Sequence, residues 1–400
     1  MRLRRSPLPL TLVLALFAAC GQPPDAGIAE DAGAPAPGLE DAGLPDAGAP
    51  ARARTLVQVR YPAGTRTLSL RGSAPPLSWD TGTSGTRGPD DLWTFDLGDV
   101  SAPLELKPLL DDTAWARGPN VVVRPGETLA LTPRFQPGAG QVVLQWPAFA
   151  SHALGNSRPV WVYLPPGYAE NPHARYPVLY LHDGQNLFDA AQAFGGTEWR
   201  VDEALNAGAE ALPREEALRE LLVVGVGNTS ARLDEYTVDV DASLGAGGRG
   251  AAYLQFLVSE LKPQVDAAFR TRPGREDTAV GGSSLGGLIS LHAGLRHPAT
   301  FGRVLALSPS TWWNDRSVLA GVNALAGQTL RPLRVYLDSG DGGPSSDDAA
   351  NTAALAEAFR AVGYRDEVDF RHVLAPGATH TESAWAARLP AALRFLFPVP

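Results

Sequence analysis

The sequence predicts an α/β protein: a doubly wound, mostly parallel sheet, preceded by a small antiparallel β-sandwich. Three observations carry that prediction. After Gly138 continuous apolar runs alternate with helical stretches, the texture of a parallel sheet covered on both faces. Between Thr55 and about Pro137 the runs are short and alternating, broken by glycine, proline and aspartate, as in a sandwich. One apolar run ends in Gly282-Ser283-Ser284-Leu285-Gly286, a Gly-x-Ser-x-Gly signature at a strand-to-helix turn.

The chain divides into residues 1–20, 21–52, 53–137 and 138–400. In the first segment Arg2, Arg4 and Arg5 precede an apolar stretch from Leu8 to Ala19, laid out as an export signal and too short to span a membrane as a helix. Cys20 is the only cysteine. The small residues before it resemble a bacterial lipoprotein processing site, so lipid on Cys20 and a cell-envelope location are expected; ordinary signal cleavage, giving a periplasmic or secreted protein, is the alternative. Residues 21–52 repeat Asp-Ala-Gly at Asp25, Asp31, Asp41 and Asp46 among prolines, without the aromatic groups a core needs, and read as a solvated tether.

Strands of the 53–137 region are expected at Leu56–Tyr61, Thr67–Arg71, Leu92–Leu97 and Leu104–Lys107. For the 138–400 region they are expected at Pro159–Leu164, Pro177–Leu181, Leu221–Val226, Thr278–Val280, Val304–Leu307 and Leu333–Leu337. From Ala251 to Phe269, apolar residues at 254, 257, 258, 261, 265 and 269 form one helical stripe that suits a crossover packed on the sheet. The net charge is −9 and Lys107 and Lys262 are the only lysines, a balance that argues against nucleic acid and against electrostatic binding to anionic lipid. A neutral or small partner fits better.

An alcohol is a weak nucleophile at neutral pH, so Ser284 needs an imidazole to take its proton and an acid to orient that imidazole. Downstream lie His292 and His297, on the helix that starts at the serine, His372 in a strand-like run, and His380 in a loop beyond that run. Functional groups of a doubly wound sheet collect in such loops, so His380 is the expected base. The acid should fall between Ser284 and His380: Asp341, among flexible glycines, is preferred over Asp338, Asp347 and Asp348, with Asp338 read as strand and the latter two as a helix start. Glu382 is awkwardly placed to orient a ring two residues away. The N–H of Leu285 should be one oxyanion donor. The second should come from His182-Asp183-Gly184-Gln185-Asn186, with Gln185 preferred over Gly184. His182 lacks a partner at ligand spacing, so no metal and no organic cofactor are expected.

Tyr176–Phe188, Phe256–Pro263, Gly281–Gly287, Ser308–Trp313 and His380–Trp385 together resemble the putative-esterase family, which includes enterochelin esterase, esterase D, feruloyl esterases and mycolyltransferases. The resemblance covers roughly residues 147–398. It implies an α/β-hydrolase fold, a nucleophile at Ser284, a base at His380, and a substrate pocket bordered by Trp312 and Trp313. Family members often carry the acid a few residues beyond Asp341, where this chain has glycines. Arg232 and Glu235-Tyr236 match a recurrent family stretch, as structural ion pair or as substrate contact. A shorter stretch, Leu68–Gly72 through Trp79, Trp93 and Lys107, resembles starch-binding-type modules. By that resemblance Trp79 and Trp115 are platforms for sugar rings, while Trp93 suits a core.

The expected protein is an exported serine esterase acting on a small-molecule or glycan-linked ester. The alternatives are an inert carbohydrate-binding protein on a hydrolase scaffold, with a polysaccharide partner, and an acyltransferase to a sugar.

Overall fold

The computed structural model describes residues 53–328 and 333–399. The export signal, Cys20 and the Asp-Ala-Gly tether lie outside the described residues.

The N-terminal region is two sheets around one core. Thr86–Arg87, Leu92–Gly98, Thr55–Arg60 and Thr128–Leu131 form the first in that order; Thr83–Ser84, Leu68–Gly72, Leu104–Leu110 and Ala114–Trp115 form the second, with Val121–Val123 also paired to Leu104–Leu110. Alternation buries Val57, Val59, Leu68, Leu70, Trp93, Phe95 and Leu106 between them. One pairing departs from the antiparallel expectation: Thr55–Arg60 runs parallel to Thr128–Leu131.

The larger sheet has eight strands: β1 (Gln141–Ser151), β2 (Asn156–Leu164), β3 (Val178–His182), β4 (Leu222–Val226), β5 (Thr278–Ser284), β6 (Arg303–Pro309), β7 (Arg334–Gly340) and β8 (Phe370–Ala375). Their order is β1-β2-β4-β3-β5-β6-β7-β8. β2 is antiparallel to both neighbours and the remaining pairs are parallel. Every residue of β3 and β4 is buried, as a strand covered on both faces requires. The helices Leu285–Arg296, Trp313–Asn323 and Ala349–Ala361 and the 250–268 crossover cover one face; Val201–Glu210 and Glu382–Leu396 cover the other. In the crossover the stripe packs as its spacing predicts, and the turn Phe256–Leu261 widens to a π-helix just before Pro263, which has no N–H to give the preceding turn. β1 was not legible as a strand: it is half-exposed, contains Pro147 and pairs with two register shifts.

Polar contacts tie the N-terminal sheets to the region carrying the larger sheet. Glu170 accepts from the Tyr61 hydroxyl at 2.9 Å and the Phe135 N–H at 2.6 Å, and the Asn171 amide donates to the carbonyls of Arg60 and Pro133, each at 3.0 Å. Arg134, nearly all buried, pairs with Glu210 at 2.8 Å and Glu220 at 2.5 Å. These contacts gather near the starts of β3 and β4, so the ends of the parallel strands stay free for chemistry.

Candidate active site

The site is built where β5 breaks. Ser284 has φ 57° and ψ −126°, a backbone region a non-glycine residue occupies only under strain of roughly 1–3 kcal/mol. The strain is imposed by close packing: a Cβ at Gly282 would stand 2.9 Å from the Gly286 carbonyl carbon. Pairing with β6 shifts register at this point, Ser283 opposing Leu307 and Ser284 opposing Pro309. Ser284 is thereby half-exposed between a buried strand and a buried helix. Its Oγ lies 3.3 Å from the Ser310 Oγ. Leu285 opens the helix, where the first N–H groups have no acceptor within the helix.

Ser284 and His380 line one cavity of about 410 Å³, together with Asp183, Gln185, Arg232 and Trp385. His380 Nδ1 is 2.6 Å from Asp347 Oδ1, and the ring meets Trp385 edge-on with centroids 4.9 Å apart. The acid at the imidazole is therefore Asp347 and not Asp341, whose exposed carboxylate accepts the Gly377 N–H. The reason is local backbone. Asp347 lies in a 3-10 turn with φ 48°, which directs its carboxylate inward under the sheet edge, and the helix proper starts at Ala349.

Asp347 is fully buried and fully satisfied. Its Oδ2 accepts the Ser308 hydroxyl at 2.6 Å and the Gly340 N–H. Ser308 Oγ in turn accepts from Trp385 Nε1 at 3.0 Å and Arg388 Nη2 at 2.9 Å, so the single Ser308 proton is committed to Asp347. Arg388 also grips Asp338 through Nε at 2.8 Å and Nη2 at 3.2 Å. Burial opposes ionisation of Asp347, but the hydrogen bonds from His380, Ser308 and Gly340 outweigh it and hold the carboxyl below its ordinary range. Asp338, with burial dominant over its Arg388 partner, is pushed the other way. Asp338 thus belongs to the strand, as its position suggests, and Asp348 accepts the Trp312 N–H at 3.2 Å.

The His182–Asn186 turn forms the adjoining wall. Asp183 is left-handed, with φ 57°, and Gly184–Asn186 makes one 3-10 turn. A Cβ on Gly184 would lie 2.5 Å from the Gly225 carbonyl carbon, so only glycine lets this turn lie against β4. Arg232 clamps Asp183 through Nε at 2.7 Å and Nη2 at 2.8 Å, and the Asn228 amide adds a third bond at 2.7 Å. His182 is buried, its Nδ1 2.9 Å from the Tyr253 hydroxyl.

The tryptophan expectation divides. Trp313 is 1 % exposed, part of the core, and donates to the Asp239 carbonyl at 3.0 Å; it cannot border a pocket. Trp312 is exposed against it, and the apolar walls of the Ser284 cavity are instead Trp385 and Phe194. Elsewhere Glu198, Asp202 and Glu203 bring carboxylate oxygens within 4.8 Å of one another. Burial and the Glu203 charge push Asp202 up to about 6.

Residues 151–396 match the profile of the Esterase family, described as putative esterase. The chain is 30% identical over 189 residues to an uncharacterised protein, YbbA, of Bacillus subtilis, covering 46% of this chain and 69% of that one. It is 29% identical over 273 residues to the iron(III) enterobactin esterase of Dickeya dadantii, covering 63% of this chain and 52% of the esterase, about half its length. Among solved structures the BES protein of Bacillus cereus superposes with a TM-score of 0.53 at 23% identity, over 66% of this chain and 97% of that one, and bears on the fold alone.

Two buried histidines set a pH dependence of stability. Burial lowers His182 to about 3 and His292 to about 4, from an ordinary 6.5. The unfolded chain takes up protons near 6.5 while the native imidazoles stay neutral, so the unfolded state binds more protons and stability falls as pH drops below about 6.5. Denaturant unfolding between about pH 7 and pH 4.5 should show that decline, shallower in a His182→Gln, His292→Gln double variant. An unchanged slope would refute the assignment. By its profile match over residues 151–396, the chain belongs to the putative-esterase family of carboxylic ester hydrolases.

Proposed function

We propose that the protein is an exported serine esterase working through an acyl-serine intermediate, with Ser284 as nucleophile, His380 as base and Asp347 as the orienting acid. The observation that carries this reading is the 2.6 Å bond from buried Asp347 to His380 Nδ1, on an imidazole that shares its cavity with the strained Ser284. That bond leaves Nε2 free to take the serine proton as Oγ attacks the ester carbonyl. The N–H groups of Leu285 and Gln185 receive the negative oxygen of the tetrahedral adduct. His380 returns the proton to the departing alcohol, then activates water to release the acid and restore the serine.

Ser284→Ala should lower turnover on aryl acetates by about 10⁶-fold and abolish labelling by a fluorophosphonate. Asp347→Asn should lower it by about 10⁴-fold, whereas Asp341→Asn should stay within about twofold of wild type. The reverse ranking of the two aspartates would overturn the triad.

The substrate class is a small-molecule or glycan-linked ester; the enterobactin esterase relative supports the first. The second has support in Trp79 and Trp115, which are 36 % and 41 % exposed and lie side by side with centroids 6.2 Å apart, while Trp93 is buried. The wild type should be retained on insoluble glucans, and Trp79→Ala and Trp115→Ala should flow through; flow-through of the wild type on all polysaccharides would end the reading.

Export rests on the basic and apolar segment from Arg2 to Ala19, and anchoring on Cys20. A palmitate analogue should label the protein in its bacterial host, and label surviving Cys20→Ala would remove the lipoprotein assignment.

A further inference from the structure

A second cavity, of about 330 Å³, lies at the opposite end of the parallel strands, between the N-terminal sheets and the segments leading into β3, β4 and β5. It is lined by five cations, Lys107, Arg117, Arg175, Arg219 and Arg272, and by a single acid, Glu220. Such a concentration runs against a chain whose net charge is −9.

The cations are under-neutralised. Glu220 is committed to Arg134, and Glu210 is divided between Arg134 and Arg117. Asp277 is shared by Arg219 at 3.4 Å and Arg272 at 3.9 Å, both longer than a charge-assisted hydrogen bond. Lys107 and Arg175 have no carboxylate within ion-pair distance among the described residues; each donates to a main-chain carbonyl, Gly118 at 2.6 Å and Thr271 at 3.4 Å. The Lys107 ammonium is buried, and burial together with the Arg117 charge pushes its pKa down. Arg219 is lowered by burial first, with Asp277 opposing and Arg272 adding to the shift. Like charges gathered around a half-enclosed space are relieved by an anion placed between them. The remaining walls include Val121, Leu131 and Tyr176, which suit a carbon skeleton, and the volume is that of a small-molecule site.

We propose that this cleft binds a small multivalent oxyanion, carrying carboxylate or phosphate groups, at the junction of the N-terminal sheets with the larger sheet. Planar guanidinium groups from both sides of the junction, Arg117 on one and Arg175, Arg219 and Arg272 on the other, supply bidentate donors, and Lys107 supplies a point charge. The site is separate from the Ser284 cavity, with which it shares no lining residue.

The test uses the full chain with citrate and inorganic pyrophosphate as probes, against sodium chloride at matched ionic strength. Binding by titration calorimetry with a Kd below about 1 mM, with a saturable rise in Tm, is expected for at least one probe. Citrate alone would assign the charge to carboxylates and pyrophosphate alone to phosphates. Arg175→Gln, an exposed position that should fold normally, and Lys107→Gln should each weaken binding by at least about tenfold while aryl acetate turnover is unchanged. No effect of either probe beyond that of chloride, or binding unaltered in both variants, would overturn the proposal.

Discussion

The proposed triad depends on keeping one enclosed carboxylate charged. Asp347 is wholly enclosed, and an ionised group there is tolerable only because its acceptor positions are filled by the Ser308 hydroxyl, the Gly340 N–H and the His380 ring. The arrangement propagates outward. Ser308 can donate to Asp347 because Trp385 and Arg388 occupy its acceptor side, and Arg388 can lie 9 % exposed because Asp338 neutralises it. Strands β6 and β7 and the C-terminal helix Glu382–Leu396 thus meet in one polar network inside an otherwise apolar interface. Charges and hydrogen bonds interlocked in this way favour a single register among the elements they join, since a slip would strand a buried charge.

Ser284, the proposed nucleophile, depends on a different constraint, steric rather than electrostatic. Ser284 takes a positive φ because the strand must turn into the helix within one residue, and the Gly282 backbone there passes too close to that of Gly286 to carry a side chain. Sheet order does the rest. β5 is central, flanked by β3 and β6, so the loops after those strands bring Gln185 and Ser310 to either side of Ser284. A hydroxyl on a central strand's tip is within reach of several loops, which is why chemistry collects at this end.

Most of the fold and half of the site were legible in the residues. Apolar runs located six of the eight large-sheet strands, because buried strands have an unbroken hydrophobic pattern; β8 is legible only as the strand-like run around His372, and β1 escapes because it is an edge strand with Pro147 and mixed exposure. Ser284 and His380, which share one cavity, are legible from a motif with a steric mechanism and from chain order. The carboxylate at the imidazole is not. By pattern Asp347 reads as a helix-start carboxylate, and nothing in the residues reveals that Ser346, Asp347 and Asp348 all have positive φ and that the Asp347 side chain is buried. Likewise Trp312-Trp313 stand next to each other in sequence, yet one is core and the other is exposed, since successive residues entering a helix point in different directions. The acid, and the tryptophan that walls the cavity, are set by contacts between segments far apart in the chain, which local pattern does not encode.

The Arg232 and Glu235-Tyr236 stretch shows how such distant contacts brace the His182–Asn186 turn. Asp183 must be left-handed for the turn to close against β4, a conformation that costs free energy unless the carboxylate is held. Arg232 holds it bidentately, Asn228 adds a bond, and the Tyr236 hydroxyl accepts the Asp183 N–H at 3.3 Å. Glu235 anchors the short helix that presents these groups, through a wholly buried pair with Arg158 at 3.1 Å. The guanidinium of Arg232 lies over the Tyr236 ring, 5.0 Å from its centre, and its charge is reinforced by Asp183 against the effect of burial. Arg232 is thus both an ion-pair partner of Asp183 and part of the cavity wall. The same side chain that fixes the turn also lines the Ser284 cavity, so a change at Arg232 alters the wall and the placement of the Gln185 N–H together.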